Sequence, residues 1–181
     1  MNIMLSKKAS NADNQQERLK MCDWIVGFVD GEGSFLVNIF KSPRAKSGWQ
    51  VFPEFNISQT RKGIELLYAI QKFFGCGHIY VHTTRNENNK KWDPLYKFCV
   101  RSQSEILEKI IPFFIKYPPR GKLKKKDLTL FSKVVKLMRD GKHLKNGGIK
   151  KIVEITREMN HRKPFEQTFA YKFLASSETI R

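Results

Sequence analysis

The spacing of apolar and polar positions divides the chain into stretches with a helical period and stretches with a strand period. Between residues 18 and 29, Leu19, Met21, Cys22, Trp24, Ile25, Val26, Phe28 and Val29 cover nearly the whole circumference at the end of the segment. That predicts a short helix buried on most sides. Asp30-Gly31-Glu32-Gly33 is expected to stop it, because glycine tolerates the backbone angles of a helix exit. Over 34–41, Phe35, Val37 and Ile39 alternate with Ser34, Leu36 and Asn38. Over 50–59, Val51, Phe55 and Ile57 alternate with Gln50, Glu54, Asn56 and Ser58. Both are strand patterns, and the loop 42–48 between them makes a hairpin. Pro53 has no N–H for a ladder and points to an edge position or a bulge.

A second helix is predicted over 62–74, where Ile64, Leu67, Tyr68, Ile70, Gln71 and Phe74 recur every three to four residues, with Gly75 and Gly77 ending it. A third strand follows over 78–84 with Ile79 and Val81 inward, then a polar, basic loop over 85–94. In a fourth strand over 95–102, Tyr96, Phe98 and Val100 oppose Lys97, Cys99 and Arg101. Ser104 and Glu105 open a helix through Ile106, Leu107, Ile110 and Ile111 to Tyr117, and Pro118-Pro119 breaks it. Helices over 126–139 and 148–160 and a last one after Pro164 complete the chain. The order reads as α+β, an αββαββα core with one antiparallel sheet, helices on one face and further C-terminal helices. Residues 1–16 are polar and mixed in charge and read as a flexible tail, leaving 17–181 as a single domain.

Charge changes the picture most. Thirty-four Lys and Arg against seventeen Asp and Glu give +17, and a surface that basic calls for an anionic partner. Duplex DNA or RNA fits best, since neutralised phosphates release condensed counterions. A membrane partner is disfavoured: no run of 18 apolar residues exists, and no helix sets a Lys/Arg face against a broad Trp/Phe/Leu face. Cys22, Cys76 and Cys99 are far apart and odd in number, which reads as structural thiols. The N-terminus has neither an apolar core nor an arginine before residue 18, unlike a secretory or transit peptide.

The polar face of the sheet carries the candidate contacts: Ser34, Asn38, Gln50, Glu54, Asn56, Ser58, His78, Tyr80, His82, Thr84, Lys97 and Arg101, with Arg44 in the hairpin loop. Antiparallel sheets commonly wet one face. A β-ribbon also fits the major groove, where Asn and Gln pair with adenine and Arg and Lys with guanine. His78 and His82 stand about 13 Å apart along a strand, too far to share an ion.

The segment Trp24-Ile25-Val26-Gly27-Phe28-Val29-Asp30-Gly31-Glu32-Gly33-Ser34-Phe35 resembles the signature of the LAGLIDADG homing endonucleases. Phe55-Asn56-Ile57-Ser58-Gln59, Gly75-Cys76-Gly77, Lys116-Tyr117-Pro118 with Gly121-Lys122, and His143-Leu144-Lys145-Asn146-Gly147-Gly148-Ile149 follow in that family's order, over roughly residues 20 to 160. The resemblance implies that the sheet is a DNA-binding saddle. Two motif helices would pack together through Trp24, Gly27 and Phe28, so a chain with one motif implies a homodimer. It also implies that Glu32, with the Gly31 carbonyl, binds Mg²⁺ (or Mn²⁺), that Gln59 organises solvent, and that a lysine lies near the scissile phosphate. Lys122 is the first choice and Lys124 the second. Asp30 is expected to order the helix end, and Gly63 stands where certain members carry a second basic residue.

On the residues alone, a hard oxygen at the end of a buried helix suits Mg²⁺, and it also suits a plain acidic turn. The implied activity is a sequence-specific homing endonuclease. It would make metal-dependent double-strand breaks in duplex DNA at a long, near-palindromic site, and be encoded in a mobile group I intron of an organelle (chloroplast or mitochondrion). The alternative is a maturase that binds intron RNA, or a non-cutting DNA-binding protein of the same fold.

Overall fold

The computed structural model describes residues 3–45, 47–82, 94–159 and 164–178. Helix α1 (Ile3–Glu32) leads into strands β1 (Gly33–Lys41) and β2 (Trp49–Thr60), and helix α2 (Ile64–Phe74) leads into β3 (His78–His82) and β4 (Leu95–Val100). A helix in three joined pieces follows: α3 (Gln103–Glu105), a π-helical turn (Ile106–Ile110) and α4 (Ile111–Lys116). Helices α5 (Lys122–Arg139), α6 (Gly148–Arg157) and α7 (Phe169–Glu178) come last. The strands form one antiparallel sheet in the order β1-β2-β4-β3, which is the α+β architecture that the alternation predicts.

The β1–β2 hairpin pairs from Gly33↔Ile57 to Lys41↔Trp49, whereas β2 meets β4 only from Phe55 onward. Pro53 therefore sits where β2 has β1 alone beside it, and a missing N–H is tolerated on a strand with an open flank. Phe35, Phe55, Ile57, Phe98 and Val100 bury the helix-facing side of the sheet. They pack against Ile25 and Val29 of α1, Leu67, Ile70 and Phe74 of α2, Phe114 of α4 and Phe131 of α5. Phe35 stacks on Phe55 at 5.2 Å and meets the edge of Phe114 at 5.3 Å. A second core joins Ile39 and Val51 of the hairpin to Val134 of α5, Ile152, Val153 and Ile155 of α6 and Ala170 of α7. Among the described residues the helices thus cover one face of the sheet and no secondary structure covers the other.

Several boundaries differ from the sequence reading. α1 begins at Ile3, not at residue 18: neither Gly nor Pro interrupts the chain before Gly27, so nothing breaks the helix. Its other end lies inside the expected Asp30–Gly33 stop, with Glu32 the last helical residue and Gly33 already in β1. Gly31 and Gly33 are absent from the glycines with positive φ, so an unusual backbone angle is not why they are there. Gly33 is needed for closeness, because a Cβ would stand 2.6 Å from Val29 Cγ1 and 2.9 Å from the Val29 carbonyl oxygen.

β3 is described over His78–His82, the rest of the predicted strand lying outside the described residues, and Val81, predicted inward, is 51% exposed. The π-helical turn precedes Pro112, whose ring would crowd the carbonyl four residues back in a regular helix. The three cysteines are free and buried.

Candidate nucleic-acid interface

Trp24, Gly27, Phe28 and Gly31 recur at three- and four-residue intervals, so they share one stripe of α1. Trp24 and Phe28 stack at 5.3 Å and lean on the core. Gly27 and Gly31 are exposed, with no atom within 4 Å of where a Cβ would stand. The stripe is a bare, shallow strip against which another helix can lie close. At its end Glu32 is solvent-exposed.

Asp30, two residues earlier, is committed elsewhere. Its carboxylate accepts the backbone N–H of Arg120 at 2.6 Å and of Gly121 at 3.2 Å. Gly121 precedes α5 and has no side chain to cap it, so Asp30 caps α5 from another helix. This is why α5 starts at Lys122 and not at residue 126, and it holds the start of α5 beside the end of α1.

That anchorage selects between the two lysines. Lys122 is exposed, whereas Lys124 is half-buried and its Nζ donates to the Gly33 carbonyl. Burial pushes the Lys124 pKa down, against the opposing pull of Asp127, Asp30 and Glu32, and the net direction is down. Lys124 is thus the ammonium beside the acidic end of α1. Asp127, buried three residues further along α5, is a member of this group that the sequence reading missed. Its i, i+3 spacing from Lys124 was the available signal. Gln59 is half-buried at the end of β2, and its Oε1 lies 2.8 Å from where a Cβ on Gly63 would stand. A side chain at 63 would displace it.

Among the described residues no three of His, Cys, Asp or Glu gather as a metal site. One copy offers instead the exposed Glu32 carboxylate next to the bare Gly31. That donor set fits a hard cation such as Mg²⁺, which takes one or two carboxylates and keeps several waters.

The uncovered face of the sheet is organised by register. Ser34, Asn56, Cys99 and His78 form one cross-strand row; Ser58, Lys97 and Tyr80 form another. Asn38, Gln50 and His78 are exposed, as is Arg44 in the hairpin loop, while Ser34, Ser58, Tyr80 and Lys97 are half-buried. Two expected base contacts are not at the surface. Glu54 and Asn56 are 5% and 2% exposed. Asn56 Nδ2 donates to Glu54 Oε1 at 2.6 Å, and Arg101 Nε donates to Glu54 Oε2 at 2.7 Å.

Burial acts to raise the Glu54 pKa, but the hydrogen bonds from Arg101 and Asn56 and the Arg101 charge outweigh it and hold it below the ordinary 4.5. The face is also less polar than predicted, since Phe40 and Phe52 meet on it at 6.2 Å. Thr84 and the side chain of His82 lie outside the described residues.

Comparison with known proteins bears on this arrangement. The profile of a family described as LAGLIDADG endonuclease matches residues 25–135. A Neurospora crassa protein described as probable intron-encoded endonuclease 2 is 36% identical over 138 residues, 76% of this chain and 28% of its own length. A second N. crassa relative, probable intron-encoded endonuclease 3, is likewise matched over 27% of its length. The chain thus spans little more than a quarter of these relatives. Among solved structures, the homing endonuclease I-TnaI is 38% identical, with a TM-score of 0.71 over 88% of this chain and 97% of that one. I-LtrWI bound to its target DNA is 34% identical, with a TM-score of 0.68 over 77% of this chain and 44% of that one.

Proposed function

The chain belongs to the LAGLIDADG endonuclease family, and from that premise we propose that two copies together cut both strands of duplex DNA at a specific, near-palindromic site. The observation that carries the proposal is the exposed Glu32 carboxylate at the end of a helix whose outer stripe, Trp24, Gly27 and Phe28, is left uncovered. Packing that stripe against its own copy brings two Glu32 side chains to a two-fold axis, and an isologous interface of this kind favours a palindromic target.

Glu32 and the Gly31 carbonyl would hold a divalent cation. When bound, the cation supplies Lewis acidity at the phosphate and lowers the pKa of its water. Lys124 keeps a positive charge at the same end of α1, where negative charge grows on the phosphate. Gln59 presents an amide that can orient a water. The exposed sheet residues and the hairpin Arg44 lie along the duplex, and the +17 chain supplies the sequence-independent attraction. The relatives named as intron-encoded support a gene inside an intron, of an organelle in our reading.

The test uses duplexes selected from a random library by the wild-type protein. Glu32→Gln should retain their binding and lose Mg²⁺-dependent cutting, and chelation of the metal should do the same to the wild type. A wild-type protein that stays monomeric on its selected site, or a Glu32→Gln protein that cuts normally, would refute the proposal. Restoration of splicing without any cutting would point to a maturase instead.

A further inference from the structure

The pairing of β2 with β4 ends at Phe55↔Val100, so the next step along both chains sets Glu54 opposite Arg101. Three contacts then hold the guanidinium. Its Nε donates to Glu54 Oε2 at 2.7 Å, its Nη2 donates to the Tyr80 hydroxyl at 2.6 Å, and its central carbon lies 5.3 Å from the Tyr80 ring centroid. Glu54 is itself fixed, because its other oxygen accepts from Asn56 at 2.6 Å. The Glu54 side chain is 7% exposed, while that of Arg101 is 50% exposed. Arginine carries five N–H donors. Two are used here, and among the described residues no protein group takes the two on Nη1 or the second on Nη2.

We infer that Glu54 and Tyr80 are positioning residues that preset Arg101 as a guanine reader on the sheet face, an assignment that deepens the proposed DNA-cutting function and rests on it. A purely structural role explains the cluster poorly. For stability alone, apolar groups in place of a buried ion pair are often as good or better. This pair instead steadies a half-exposed guanidinium and leaves open its outer edge, where one N–H of Nη1 and the second N–H of Nη2 run side by side, the shape that matches guanine O6 and N7. Holding that end still in the free protein removes ordering that binding would otherwise require. It also explains why Glu54, an acid on a face meant for phosphates, is sunk below the surface and neutralised.

The experiment measures Kd for the full chain on its selected duplex and on every single-base-pair variant of it, in EDTA so that nothing is cut. The wild type should disfavour loss of one G·C pair per half-site by about 5- to 150-fold, the worth of a bidentate arginine–guanine contact. Arg101→Ala should abolish that preference alone. Glu54→Gln and Tyr80→Phe should each reduce it several-fold and leave the other positions unchanged. In the Arg101→Ala background neither should add anything.

The inference fails if Glu54→Gln and Tyr80→Phe leave the Arg101-dependent preference intact, or weaken all sites alike. Tyr80→Phe removes only a hydroxyl, so the test survives a misfolded Glu54→Gln. A wild-type protein with no sequence preference would overturn this inference and the endonuclease proposal together. A preference that ignores these two variants would overturn this inference alone.

Discussion

Asp30 and Glu32 stand two residues apart at the end of α1, and the structure predicts opposite consequences for losing them. Asp30→Ala removes the acceptor for the N–H groups of Arg120 and Gly121, held at 2.6 and 3.2 Å. Water can reach both donors, so the appropriate scale is the loss of an N-cap, about 0.5–2 kcal/mol. The first turn of α5 has no acidic residue of its own, so the charge of Asp30 at the positive end of that helix adds about 0.3–1 kcal/mol. The sum, about 1–3 kcal/mol, corresponds to a fall in Tm of roughly 2–4 °C per kcal/mol for a chain of this size. Asp30→Asn, which keeps an acceptor and loses the charge, should fall between Asp30→Ala and wild type. Glu32→Ala removes an exposed side chain and should change stability by no more than about 0.5 kcal/mol. Urea unfolding followed by tryptophan fluorescence and by circular dichroism reads all three. An Asp30→Ala protein as stable as wild type, or a Glu32→Ala protein equally damaged, would refute the assignment of Asp30 as the remote cap.

Gly77 has φ of +77°, and a Cβ there would lie 2.6 Å from Phe98 Cε2 and 2.9 Å from the Cys99 carbonyl oxygen. Gly77→Ala should therefore destabilise by about 2–4 kcal/mol from backbone strain and overpacking, measured by the same unfolding curves. Lys124→Met should slow single-turnover cleavage by about 100-fold, with Lys122→Met changing it only slightly; because burial lowers the Lys124 pKa, alkaline loss of cleavage should set in below 10.5. The folded-state pKa of Glu54 lies below its ordinary 4.5, so its contribution to stability is present above that value and lost as pH falls through the folded one. Unfolding midpoints measured across this acid range should decline less steeply for Glu54→Gln than for wild type.

The strands were legible because their apolar residues alternate and the sheet buries one face, and Phe35, Phe55 and Phe98 lie where that period places them. Three of the misses share a physical cause, which is that each depends on a partner distant in the chain. The cap of α5 is a carboxylate 91 residues earlier than Gly121, so no local signal announces the helix start. Lys122 and Lys124 are then about 200° apart around the helix, and only a known start and packing reveal which one faces α1. Glu54 and Asn56 alternate as surface residues should. Their burial follows from a strand register that sets Arg101 across from Glu54, and polarity along one strand carries no register.

Ile106, Ile110 and Phe114 are fully buried and recur every four residues. On a regular helix such a line would slew by about 80° over its eight-residue span. The broad turn at Ile106–Ile110 takes up that slew, so the segment in effect stows one surplus residue where it disturbs no packing. With Pro112 also replaced, since the broad turn spares its ring the carbonyl four residues back, removing a single residue between Ile106 and Ile110 would let the backbone close into an ordinary helix with Phe114 still aimed inward. At this place the protein tolerates a change in length that any of its strands would convert into an inverted face.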